Sequence, residues 1–131
     1  MTTPSFADAV ATAVNELRIE FSPAVVTAEP DGEGGAHVRL DPVELGSPIL
    51  QKTTWVAFRI PYNYPYADVY PHFVRPDLRV DGGALSAGMS QVQFLGVPAV
   101  QLSRRSNRRV AESDTAAVKL RKVVSWLSST R

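Results

Sequence analysis

The 131-residue chain has no cysteine, which excludes disulfides, thiolate metal sites and cysteine nucleophiles together. Histidine is nearly as scarce, and His37 and His72 lie far apart without ligand spacing, so neither a metal site nor a cofactor is expected. Long apolar runs are missing, and the amino terminus lacks a basic segment followed by an apolar core. A cytoplasmic location is therefore the expectation. No charge of one sign dominates: 14 Lys and Arg stand against 13 Asp and Glu, for a net charge of +1. A global field that would recruit nucleic acid or membrane is thereby excluded, and any basic function must be local. Nucleotide binding is disfavoured too, because the glycine cluster from Pro30 to Gly35 lacks the lysine and helix start of a phosphate loop. What remains is 44% hydrophobic content, enough to bury the core of one domain over residues 1–131.

Apolar residues at Phe6, Val10, Val14 and Leu17 define one side of a helix from about Phe6 to Glu20. Ser5, with Asp8 three residues on, resembles a capping box at its start. The pattern then changes to β-branched and alternating residues, giving short strands at Val25–Thr27 and Ala36–Leu40 around the glycine-rich turn. Asp41 to Pro48, with two prolines and a glycine, reads as a loop. In Thr53–Ile60 the residues Thr54, Val56, Phe58 and Ile60 alternate with Trp55, Ala57 and Arg59, which places the first set against the core. Pro65 and Pro71 permit only an edge strand around Val69–Val74. Asp81–Gly96 reads as a long loop with a short strand at Gln91–Phe94. Val97–Leu102 suits a buried turn or short strand. A last helix from about Thr115 to Leu127, capped by Asp114, sets Ala117, Leu120, Val123, Val124 and Leu127 on one face. Strands grouped between two helices predict an α+β domain with a four-stranded antiparallel meander and helices over one face.

The order of elements and the stretch from Tyr64 to Leu78 resemble the ubiquitin-conjugating (UBC) fold. Phe58-Arg59-Ile60-Pro61 is similar to that family's third strand ending in proline, and Tyr64-Pro65-Tyr66 to its Tyr-Pro-Phe. Arg75-Pro76-Asp77 stands where the family has His-Pro-Asn near the active site. Ser113-Asp114 and the helix after it resemble the segment following the catalytic loop. The likeness is nearest to divergent bacterial members, which implies a ubiquitin-like protein and its activating enzyme as partners.

A UBC enzyme carries its cargo as a thioester on cysteine, and counting back from Asp114 places that position between Val100 and Ser103. The resemblance thus implies Ser103 as the cysteine equivalent, or Ser86 in an alignment without an insertion. Two functions follow. One is a transferase that carries the modifier as an oxyester, for which His72 and Asp77 are the base and carboxylate in the signature. The other is a non-catalytic UBC-fold protein that binds or scaffolds its partners. Asp77 departs from the family's asparagine, since an ionised carboxylate donates no hydrogen bond. Arg104, Arg105, Arg108 and Arg109 suit an acidic protein surface, or a stabilised oxyanion beside Ser103, better than nucleic acid, because no aromatic residue is interleaved. Tyr66, or Tyr62, joins them as a partner-binding candidate, while Tyr64, Tyr70 and Trp126 read as packing residues.

Overall fold

Val10, Val14 and Leu17 form the buried side of the first helix, α1 (Asp8–Glu20), as their spacing requires. The computed structural model describes residues 6–46, 49–79, 83, 85, 88–103 and 115–129. Ser5, the expected cap, lies outside them. Ala7 takes the cap position without a side-chain bond, and its N–H donates to the Gly34 carbonyl at 2.8 Å. The turn between the first two strands therefore fixes where the helix enters.

That turn joins β1 (Val25–Pro30) to β2 (Ala36–Glu44) and is organised by Asp31. Oδ1 of Asp31 accepts from the N–H groups of Glu33 at 2.8 Å and Gly35 at 3.0 Å, and Oδ2 accepts from Arg59 Nε at 2.7 Å. Burial pushes the Asp31 pKa up, but the N–H of Glu33, the Arg59 guanidinium and the N–H of Gly35 outweigh it and hold the carboxyl below its ordinary value. A Cβ on residue 35 would lie 2.5 Å from both Asp31 Oδ2 and the Ile60 carbonyl oxygen, so only glycine fits.

Three sequence expectations need correction. The stretch after Leu40 is not a loop, because β2 continues to Glu44 through a register shift between Leu40 and Val43. The irregularity accommodates Pro42, which has no N–H for a regular ladder. β3 (Thr53–Ile60) buries Thr54, Val56, Phe58 and Ile60 as expected, but β4 (His72–Val74) is an interior strand. Pro71 precedes β4, so its missing N–H is never needed there. Finally, the short strands read at Gln91–Phe94 and Val97–Leu102 are present, as β5 (Met89–Phe94) and β6 (Val97–Leu102), but they pair as one hairpin that extends the sheet beyond the expected meander. Leu95 and Gly96, with φ of 51° and 77°, make its two-residue connection. Among the described residues the sheet has six antiparallel strands rather than four, in the order β1-β2-β3-β4-β6-β5.

The second helix, α2 (Ala116–Ser129), is capped by Thr115, whose Oγ1 accepts from the Val118 N–H at 3.2 Å. Asp114 lies outside the described residues. Both helices contribute to one core with the inward side chains of the sheet, including Val38, Leu40, Val56, Phe58, Val100 and Leu102. The domain is thus α+β with two helices and an antiparallel sheet. No helix among the described residues is long and apolar enough to cross a membrane.

The hairpin bends back over the other face. In a flat ladder Phe94 would lie about 16 Å from Phe73, four residues along and two strands across. Their rings instead stack with centroids 4.0 Å apart, and Phe94 also meets the edge of His37 at 6.2 Å. This cover explains why Ala57, which points away from the helices, is buried as well.

Candidate functional site

The Tyr-Pro segment is a pair of turns, closed by Tyr64 N–H to the Pro61 carbonyl at 3.0 Å and Tyr66 N–H to the Asn63 carbonyl at 2.9 Å. Its Tyr64–Pro65 and Tyr70–Pro71 peptides are cis. Buried Tyr64 turns its hydroxyl to accept the Ala116 N–H at 3.0 Å, satisfying a donor that the start of α2 leaves open. Lys119, one turn further, is buried and donates to Asp68 at 3.1 and 3.3 Å. Two polar contacts thereby tie the signature to the first turns of α2. Tyr66 makes no such tie and is 82% exposed.

His72, Asp77 and Ser103 are not brought together. In the β4–β6 register His72 pairs with Leu102, so both face the core, and the His72 ring lies 4.9 Å from that of Phe58. Burial pushes its pKa down to about 3, with the Lys119 ammonium adding to the shift and Asp68 opposing it. Among the described residues, neither ring nitrogen has a hydrogen-bond partner. Ser103 follows Leu102 and takes the other face with Gln101, whose Nε2 donates to Ser103 Oγ at 3.1 Å. The Ser103 side is exposed, and its N–H continues the hairpin ladder by donating to the Gly88 carbonyl at 2.8 Å. Asp77 lies past the opposite end of β4. It is held by Arg75 through contacts of 2.5 and 2.7 Å, and that guanidinium lowers its pKa. Arg75 is fixed in turn, since its Nη1 donates to the Thr53 carbonyl and its N–H to Thr54 Oγ1. Ser86, Arg104, Arg105, Arg108 and Arg109 lie outside the described residues.

A second region was not foreseen from the sequence. Where the hairpin tip folds over the sheet, it leaves a cleft of about 170 Å³ between Phe94, Leu95 and Val97 on one side and Thr27, Glu29, His37, Arg39, Trp55 and Ala57 on the other. Arg39 lies over the Trp55 ring at 4.8 Å and pairs with Asp41 at 3.4 Å. Leu95 and Val97 leave the tip largely exposed and apolar. The signal available in the sequence was Gln91-Val92-Gln93-Phe94-Leu95-Gly96-Val97, an alternating stretch followed by a two-residue turn and a second apolar segment. Leucine at the turn masks it, because Asn or Gly is the usual residue there.

No family model, curated protein or solved structure matches the chain.

Proposed function

We propose that the chain is a UBC-like binding module of a bacterial ubiquitin-like conjugation pathway, engaging the ubiquitin-like protein or its activating enzyme without forming an ester itself. The observation that carries this reading is the separation of the signature's polar groups. Ser103 lies on the face away from His72, the imidazole is buried, and Asp77 is occupied by Arg75. A serine hydroxyl needs an adjacent base to act as a nucleophile at neutral pH, and neither His72 nor Asp77 is placed to serve as one. The tie between Tyr64 and α2 supports the UBC likeness at the level of architecture, since it links the signature to the final helix.

Serine acylation is the second reading, favoured by the exposure of Ser103 at the end of β6. Incubation with ATP, the activating enzyme and the ubiquitin-like protein, followed by intact-mass measurement, separates the two. The binding module gives no covalent adduct and co-elutes with a partner. Carriage by serine gives an adduct that survives thiols, yields to hydroxylamine and disappears in Ser103→Ala.

A further inference from the structure

The two edges of the sheet, β1 and β5, are built differently. β1 contains Glu29 and ends on Pro30, and its Val26 carbonyl accepts from Arg18 Nη2 at 3.5 Å. Charge, proline and a covering side chain are devices that keep an edge strand from pairing with another chain. Among the described residues, β5 has none of the three. Met89-Ser90-Gln91-Val92-Gln93-Phe94 carries no charge and no proline, and Ser90, Gln91 and Gln93 are exposed. Among the described residues, 89–94 make no hydrogen bond beyond the β5–β6 ladder.

The two-residue loop determines which backbone groups point outward. The residues that close it, Phe94 and Val97, exchange both hydrogen bonds, and by the alternation of an antiparallel ladder so do Val92 with Ala99 and Ser90 with Gln101. The N–H and C=O groups of Met89, Gln91 and Gln93 therefore face away from β6.

We propose that β5 pairs antiparallel with β5 of a second copy of the chain, across a two-fold axis at Gln91. A strand that meets its own copy sets like charges close to one another, and an uncharged strand avoids that repulsion. The axis at Gln91 also sets Met89 opposite Gln93, so that every outward-facing residue of both strands is bonded, with about six hydrogen bonds in all. Ser90 and Val92 then meet on the outer face, and no side chain changes sides. Strand pairing of this length buries far less than the roughly 1,600 Å² of a standard interface, so the association is of the weak, transient kind.

The proposal is independent of the conjugation reading and is tested on the chain alone, by sedimentation equilibrium and amide exchange between about 10 µM and about 1 mM. A monomer–dimer equilibrium is expected. Exchange at Gln91 and Gln93 should slow as concentration rises, while Ser90 and Val92, already bonded to β6, should not respond. Gln91→Lys, which opposes like charges on the axis, should raise the dissociation constant at least about ten-fold. Val25→Lys, at an exposed position of β1 away from the hairpin, should leave it unchanged. The proposal is overturned by a monomer at the highest concentration with fast exchange at Gln91 and Gln93, or by a dimer indifferent to Gln91→Lys. Protection independent of concentration also overturns it, and assigns the edge to another segment of the same chain.

Discussion

A fully buried imidazole with neither nitrogen hydrogen-bonded is held neutral by the fold, and among the described residues His72 is such a group. Its folded pKa of about 3 lies below the ordinary 6.5, so below pH 6.5 the unfolded chain takes a proton that the folded chain refuses. The stability this contributes is complete above pH 6.5 and is lost as pH falls toward 3. Between pH 7 and pH 5 the loss is about 2 kcal/mol. Urea denaturation of the wild type and of His72→Leu across that range should differ by this amount, with the flatter profile in the variant. At this scale the sequence was legible where one side chain answers to its strand. Thr54, Val56, Phe58 and Ile60 are buried by alternation alone. It was not legible for His72, whose place in the signature suggested a base while the β4–β6 register put it opposite Leu102 in the core.

Among the elements, the β5–β6 hairpin departs furthest from its sequence pattern. Leu95 holds a positive φ, a region costly for residues other than Gly, Asn and Asp. Leu95→Asn should therefore stabilise the domain by about 0.5–1 kcal/mol, read as a rise in the urea midpoint. No such gain is expected if the Leu95 side chain contributes more at the cleft than its strain costs. The amphipathic helices were readable because one face suffices to specify them, and Val10, Val14 and Leu17, like Leu120, Val123 and Leu127, are buried as their spacing implies. β4 was placed at an edge because of Pro65 and Pro71, whereas its second neighbour, β6, comes from a segment much further along the chain. A strand's position in a sheet depends on partners distant in sequence, which its own residues do not name.

For the whole molecule, a contact that joins the middle of the chain to its last helix is the Tyr64 hydroxyl on the Ala116 N–H, 52 positions apart in sequence. Tyr64→Phe removes the acceptor and leaves a buried N–H without it, at a cost of about 1–3 kcal/mol. Thermal unfolding should show the loss, and amide exchange should quicken first in the opening turn of α2. An unchanged melting temperature would mean that packing alone holds the signature to the helix. The sequence by itself determined the α+β class, the two helices and the inward set of β3, because each follows from a periodicity that the local chain carries. The tertiary structure alone decided that the sheet has six strands, that its hairpin folds back onto Phe73, and that Ser103 and His72 look in opposite directions. Those outcomes are set by register and by sheet curvature, and both arise from pairings between residues too far apart along the chain for any local pattern to encode.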